Sequence, residues 1–249
     1  MKNYIQHIIE PKKLLLAWQA PEGKDRTRYI VAELERTGVS DDSVVLRYLI
    51  HTTDFDKAKK LGFDGHPAFK KLLIEHSVGV VDALMRRLPP RTRGDFSKYL
   101  DLLRLPATIK ISDFALLGYS GARLPSDGFS IIHPFQGNIQ ECEFLMEVAG
   151  FRYISNLSVD DIIVGTEVFF KPEPDNPFDP RAIMVMIDRR KIGYVNRGLL
   201  DSFHQWIKET RLHAWVERTN GSAKRPLVYL FVKVSKPALE ALRPIIKVG

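Results

Sequence analysis

The sequence predicts an α+β protein with an N-terminal α+β domain, residues 1–137, followed by a small, partly closed β-barrel domain with one or two short helices, residues 138–249. Two observations predict this fold class. Apolar residues recur at helical spacing through much of the first half, whereas the second half contains about six short strand-like runs separated by turn residues. A chain of 249 residues is long enough for two domains of ordinary size.

The N-terminal half starts with strand-like runs and changes to helical spacing after about residue 50. We predict strands at 14–18, 28–34 and 44–49, helices at 54–61, 67–87 and 93–104, and a short helix at 113–117 capped by Asp113. Gly118, Gly121 and Gly128 then mark a loop-rich stretch that ends at Pro134. We place the domain boundary near residues 136–138.

The C-terminal half alternates strands and turns around a single amphipathic helix. We predict strands at 143–149, 167–171, 182–187, 191–195, 213–217 and 227–232, and a helix at 199–209. The last two strands form a hairpin, for which we predict a turn at Asn220-Gly221.

Composition excludes several classes of protein. The hydrophobic fraction of 45% and the charged fraction of 27% are those of an ordinary folded protein. The longest apolar runs are about five residues, too short for a membrane-spanning helix. A single cysteine, Cys142, cannot form an internal disulfide, and the seven histidines show no metal-ligand spacing. We therefore expect a soluble, cytoplasmic protein with no membrane association, no metal and no cofactor.

The net charge of +7 is unevenly distributed. Residues 148–249 hold sixteen Lys and Arg against eleven Asp and Glu, an excess of five, and residues 1–147 supply the remaining two. A basic C-terminal domain favours a polyanion as its partner.

Motifs for catalysis are weak. The run from Gly118 to Gly121 is one position short of the G-x-S-x-G nucleophile elbow, and no glycine-rich phosphate loop occurs. A metal-dependent nuclease would need two converging carboxylates with a lysine close behind. Asp175, Asp188 and Lys191 only approach this pattern, because Asp188 falls in a predicted turn. We predict no catalytic residue, with a nuclease as a distant alternative.

The segment from Lys171 to Ile183 is the most specific feature of the sequence. Prolines on both sides of Asn-Pro-Phe-Asp fix a tight turn at the end of a strand. Such a turn presents an amide, an aromatic ring and a carboxylate together. Two interpretations remain open: a binding site, or a structural turn whose Asn176 and Asp179 bond their own backbone.

Residues 143–232 resemble the HIRAN domain. Four elements in order carry the resemblance: the opening strand that runs into Gly-Phe-Arg-Tyr, the segment from Lys171 to Ile183, the Lys-Ile-Gly-Tyr-Val run and the helix after it. The resemblance implies a small β-barrel linked to DNA processing and repair, whose best-understood members capture the 3′ end of single-stranded DNA. The corresponding pocket residues are Arg152, Tyr153, Asn176, Phe178 and Asp179. The predicted nucleic-acid-binding set also includes Tyr194 and Arg197.

The resemblance assigns each residue a chemical role. Tyr153 and Phe178 would stack on bases, and Arg152 would reach a phosphate. Asn176 would contact a base edge or sugar, and Asp179 would accept a hydrogen bond from a terminal hydroxyl. The chain departs from the DNA-end binders of the family in having Ile154 in place of a second aromatic, and Phe178 in place of tyrosine.

Residues 111–125 are similar to the small N-terminal subdomain of HipA-type toxin kinases, with a helix-capped Asp-Phe-Ala-Leu-Leu segment and a glycine turn. No catalytic aspartate motif or nucleotide loop follows, so this half would be a regulatory or docking module. We therefore carry two functions forward. The first is a non-catalytic protein that binds single-stranded or terminal DNA. The second is a regulatory component that partners a separately encoded toxin-like kinase or DNA-processing enzyme.

Overall fold

The computed structural model describes residues 3–21, 23–24, 27–38, 43–124, 127–136, 139–154, 157–222 and 225–236. The chain forms two compact units. Unit 1 comprises Met1–Gly137 and Val195–Ser202, and unit 2 comprises Asn138–Tyr194 and Phe203–Gly249. The domain boundary predicted near residues 136–138 falls partly outside the described residues.

Unit 1 contains a four-stranded antiparallel sheet in the order β3-β2-β1-β4. Its strands are β1 Lys13–Gln19, β2 Arg28–Arg36, β3 Val44–Tyr48 and β4 Phe129–Ile132, and its helices are α1 Thr53–Lys60, α2 Val80–Met85, α3 Phe96–Leu102 and α4 Asp113–Ser120. Buried aromatic rings pack edge to face against one another, among them Tyr48 of β3, Phe55 and Phe63.

An ion pair is buried in unit 1. The Arg87 side chain is only 6% exposed, and its two terminal nitrogens bind the Asp127 carboxylate at 2.7 and 2.8 Å. The same guanidinium donates to the carbonyl oxygens of Ala122 and Phe129. Burial is the largest single influence and acts to raise the pKa of Asp127, but the hydrogen bonds from Arg87 and the Phe129 N–H, together with the charge of Arg87, outweigh it and lower that pKa.

The predicted helix at 67–87 is wrong over most of its length, because only Val80–Met85 is helical. Residues before it form tertiary pairs instead. His76 exchanges both backbone hydrogen bonds with Leu46 of β3, and Gly79 takes a left-handed φ of 62° directly before the helix. Pairing with the sheet therefore overrides the helical spacing of this segment.

The stretch from Asp113 to Pro134 also differs from the prediction. Helix α4 extends to Ser120, and the side chain that caps it is Ser112, which accepts from the Ala115 N–H at 3.0 Å. The predicted loop contains strand β4, all four residues of which are buried.

Unit 2 is a curled six-stranded half-barrel with strand order β5-β10-β9-β6-β7-β8. Its strands are β5 Cys142–Glu147, β6 Glu167–Pro172, β7 Ile183–Ile187, β8 Arg190–Tyr194, β9 Arg211–Ser222 and β10 Arg225–Ser235. The two end strands of this order, β5 and β8, approach each other where Ala149, just past β5, pairs with Tyr194. The predicted α+β class with a small, partly closed barrel is confirmed.

Helix α5, Leu200–Glu209, supplies aromatic side chains to the core of unit 2. Phe203 and Trp206 are fully buried and contact the rings of Phe144 and Phe170 from two strands. Strand side chains alternate between faces, so these contacts define the interior of the barrel, and the neighbours of Phe144 and Phe170 in sequence face its exterior.

The predicted hairpin turn at Asn220-Gly221 is wrong by three positions. Both residues belong to β9 and pair with Leu227 and Pro226 of β10, and the connection falls at residues 223–224, outside the described residues.

We propose that residues 1–137 and 138–249 are two separable domains; one border between the units falls at 137/138, but Val195–Ser202 also belongs to unit 1. A protease of broad specificity should therefore cut first between about residues 134 and 142, because exposed connections between packed units are cleaved before their cores. N-terminal sequencing of the fragments checks the position. First cuts inside residues 150–230 would contradict the boundary.

Candidate nucleic-acid interface

The turn after β6 is organised around Asn176. Its side-chain oxygen accepts from the backbone N–H groups of Phe178 and Asp179 at 3.0 and 3.1 Å. Its amide nitrogen donates to Glu173 at 2.6 Å and to the Tyr194 hydroxyl at 3.2 Å. Asn176 thus fixes the turn from within, as the structural interpretation of the motif requires.

Asp179 continues the same pattern. Its carboxylate accepts from the Arg181 N–H at 3.0 Å, and its carbonyl oxygen accepts from the Ala182 N–H at 2.9 Å. These two contacts hold Asp179 within the turn.

The Tyr194 hydroxyl lies at the centre of a polar network beneath the turn. It donates to Glu173 at 2.9 Å and accepts from the Lys191 ammonium at 2.8 Å. Lys191 also lies 3.6 Å from the other Glu173 oxygen and stands over the Tyr194 ring. The network therefore ties strand β8 to the turn that follows β6.

Charges within this network stabilise each other. The hydrogen bond from Asn176 is the largest influence on Glu173, and with contributions from Tyr194 and Lys191 it lowers the pKa of that carboxyl. The hydrogen bond to Tyr194 is the largest influence on Lys191 and raises the pKa of its ammonium. Glu173 and Lys191 are thus held ionised at neutral pH.

A second loop lies beside this network. Residues 151–153 form one turn of 3-10 helix, entered through Gly150 at a left-handed φ of 76°. Arg152 donates to the Tyr153 hydroxyl and its guanidinium stands 4.5 Å from the centre of the Tyr153 ring. Cation and ring together form one surface, with Tyr153 64% exposed.

Gly193 joins the loop to the network. Ala149, four residues before Tyr153, exchanges two backbone hydrogen bonds with Tyr194 at 2.8 and 2.9 Å. Gly193 approaches this pair so closely that an added Cβ would lie 2.5 Å from both the Ala149 oxygen and a Val148 methyl carbon. Glycine is therefore required where the two ends of the barrel meet.

Two aromatic rings are exposed to solvent, one on the Asn176 turn and one on the loop at residues 151–153. Phe178 is 92% exposed and Tyr153 is 64% exposed. Exposed rings beside an arginine form a stacking platform that accepts any base. The arrangement can therefore hold unpaired nucleotides.

The structure places six of the seven predicted residues around one part of unit 2. Tyr194, Asn176, Phe178 and Asp179 are linked by the contacts above, and the Arg152-Tyr153 loop adjoins them through Ala149. Arg197 belongs to unit 1, where it forms a 2.9 Å ion pair with Asp54.

Sequence reasoning missed Glu173 and Lys191 as members of the cluster. Their signal was present, because both lie inside the motifs that carry the resemblance, but spacing alone does not show that a lysine on β8 meets a glutamate after β6.

No group of three or more His, Cys, Asp or Glu side chains suited to a metal ion occurs among the described residues. Asp188, considered above for a nuclease, lies in the β7–β8 turn with a φ of 52°. Within the described part of the chain, no helix is both long and apolar enough to span a bilayer.

The fold defines unit 2 as a small half-barrel that carries exposed aromatic side chains on its turns. Residues 142–233 match the family model of the HIRAN domain, so the chain contains a HIRAN domain and the predicted resemblance is confirmed.

Two solved structures are similar to this part of the chain. The human HLTF HIRAN domain has 19% identity, covering 37% of this chain and 76% of that one, with a TM-score of 0.29. A Lactobacillus plantarum protein solved by structural genomics has 23% identity, covering 36% of this chain and 91% of that one, with a TM-score of 0.29. No curated protein matches the chain.

HIRAN domains bind DNA, so the family match supports a nucleic-acid-binding role for this chain, with DNA as the partner. Nothing in the comparisons supports the predicted similarity of residues 111–125 to HipA-type kinases, which stays a prediction.

Proposed function

We propose that the HIRAN domain of this protein captures the free 3′ end of single-stranded DNA and performs no chemistry on it. The observation that carries the proposal is Phe178, a phenyl ring 92% exposed on a turn that is hydrogen-bonded into one conformation. A rigid, exposed ring gains stacking energy without an ordering cost. Tyr153 provides a second ring and Arg152 a cation for a phosphate.

Within this proposal, Asn176 positions its neighbours and does not read a base. Both of its side-chain atoms are already bonded inside the turn or to Tyr194 and Glu173. The recognition of an end then falls to Asp179, because a carboxylate accepts a hydrogen bond from a hydroxyl and repels a phosphate.

This assignment predicts that the full-length protein binds an oligonucleotide with a 3′-hydroxyl more tightly than the same strand with a 3′-phosphate. Two unit charges about 4 Å apart repel by about 1 kcal/mol in water and about 4 kcal/mol at an effective dielectric near 20. The turn is solvent-exposed, so we expect the lower end, about fivefold or somewhat more. Fluorescence anisotropy with 5′-labelled strands measures the difference.

Asp179→Asn should narrow this difference, whereas Asp175→Asn, which removes the same charge from an exposed position of the same turn, should leave it intact. If Asp179 serves only the turn, its substitution lowers the melting temperature without changing the preference. Equal affinity of the wild type for both ends would contradict end capture.

A protein partner for unit 1 is the second candidate function. The observation that favours it is a segment before helix α2 with exposed apolar side chains: Leu73 is 83% exposed, Ile74 50% and Val78 90%. Exposed apolar side chains that cluster in this way are typical of interaction sites. The two functions are compatible, because they use different units.

A further inference from the structure

We propose that the exterior of strands β6 to β8 carries a second stacking position, Phe169, and that the strand held by its 3′ end continues across this face. The inference rests on the proposed function and extends it from a terminal pocket to a track for single-stranded DNA. The track consists of Tyr194, Met184, Lys171, Met186 and Phe169.

The direction of Phe169 follows from its neighbours. Val168 is 3% exposed and Phe170 packs against Phe203 in the interior, with ring centres 4.8 Å apart. Side chains alternate along a strand, so Phe169 and Lys171 point to the exterior. Phe169 is accordingly 51% exposed, and Lys171 is exposed as well.

Strand register connects this ring to the turn. Tyr194 pairs with Met184, and Met184 pairs with Lys171, so these three side chains form one row across β8, β7 and β6. Phe169 pairs with Met186 in the next row. Side chains directly opposite in such rows are about 5 Å apart at their Cβ atoms, so the surface runs without a gap from the polar network to Phe169.

The charges beside Phe169 suit a phosphate backbone. Lys171 pairs with Met184 through its backbone, and its side chain is exposed. On the neighbouring strand β9, Ala214 pairs with Val168, and the exposed His213 and Arg211 lie one and three residues before Ala214. Glu167 is the acidic residue on this side of β6, and it lies at the end away from the turn.

A single strand fits this face better than a duplex. Stacking on Phe169 needs an unpaired base, and the partly buried Met184 and Met186, one in each row, offer polarisable apolar side chains along this face. Because this face adjoins the turn that we propose binds the 3′ end, one DNA strand can occupy both the turn and Phe169.

The experiment compares 5′-labelled oligo-dT of two and eight nucleotides, both with 3′-hydroxyl ends, with competition used where direct binding of the dinucleotide is too weak. In the full-length wild type, the octanucleotide should bind more tightly than the dinucleotide. Phe169→Ala should weaken octanucleotide binding by roughly 5- to 150-fold, the equivalent of one stacked base. The affinity of Phe169→Ala for the dinucleotide should equal that of the wild type. Phe169→Trp should again bind the octanucleotide more tightly than the dinucleotide.

Ile163→Ala is the matched control, because Ile163 is an apolar residue 71% exposed in the same unit but outside the track. It should bind both lengths as the wild type does. Equal affinity of the wild type for both lengths, or equal weakening of both by Phe169→Ala, would overturn the track while end capture stands. Failure of the wild type to bind either strand would instead remove the proposed function.

Discussion

Replacing Gly193 by alanine should weaken the binding of single-stranded DNA by at least about 30-fold, the stacking energy of two bases at about 1 kcal/mol each. The new Cβ would lie 2.5 Å from the Ala149 oxygen and from a Val148 methyl carbon, and φ at Gly193 is 146°. The backbone must move to relieve this overlap, which breaks the two hydrogen bonds between Ala149 and Tyr194. The Arg152-Tyr153 loop and the Phe178 turn then lose their common support.

The same substitution should lower the free energy of unfolding by about 3–5 kcal/mol, since overpacking costs about 1–3 kcal/mol and the two lost hydrogen bonds about 1 kcal/mol each. Gly165→Ala is the matched control. Gly165 also has a positive φ, 88°, but nothing lies within 4 Å of an added Cβ there. It therefore reports the backbone strain without the overlap. Equal effects of the two substitutions on binding would show that the Ala149–Tyr194 junction does not support the site.

The strands of unit 2 were predictable because each is specified locally. Alternating apolar residues and turn residues at regular spacing give β6 to β10 within a few residues, and the same run carries the HIRAN motifs. The hairpin turn was displaced because Asn220 and Gly221 carry a turn signal yet lie in paired positions, where the long β9–β10 ladder sets the register.

Unit 1 shows where local signals fail. The segment before helix α2 has helical spacing, but the backbone of His76 in this segment is hydrogen-bonded to Leu46 of strand β3 instead of to a helical turn. Strand β4 was hidden in a glycine-marked stretch, because pairing with β1 decides its conformation and the two strands are more than a hundred residues apart. Long-range pairing of this kind leaves no periodic pattern that one segment alone could show.

The sequence predicted which residues lie at the candidate site better than it predicted the role of each residue. Phe178 and Tyr153 are exposed, as residues that stack on bases must be. Asn176 instead holds the turn together; Glu173 bonds to it directly, and Lys191 joins it through Tyr194. Distances between side chains on different strands decide which of these polar groups remain open to a ligand, and a single sequence does not contain them.

Two buried histidines in unit 1 share a geometry that disfavours their charged form. The Nδ1 of His66 accepts from the Ala68 N–H at 3.2 Å, and the Nδ1 of His133 accepts from the Phe135 N–H at 3.0 Å. An imidazolium carries a proton on both nitrogens, so protonation would oppose each of these amides with a second N–H. His66 Nε2 is in addition buried without a hydrogen-bond partner among the described residues.

Unit 1 should therefore lose stability in mild acid, by about 3 kcal/mol for each histidine. Burial lowers the pKa of both His66 and His133 to about 4, with Arg87 adding to the effect at His66 and the Ile9 carbonyl and Glu10 opposing it at His133. An unfolded histidine titrates near 6.5. Between about pH 6.5 and pH 4 the unfolded chain thus binds more protons than the folded one, so stability is fully present above pH 6.5 and falls as the pH approaches 4.

Urea unfolding followed by tryptophan fluorescence at pH 7 and pH 4.5 measures the loss of stability. A variant carrying His66→Phe and His133→Phe should show a much flatter dependence on pH, whatever its stability at pH 7, whereas His51→Gln, an exposed histidine of the same unit, should behave as the wild type. A steep loss that persists in the double variant would assign the acid sensitivity to other groups, with the Arg87–Asp127 pair the next to test at lower pH.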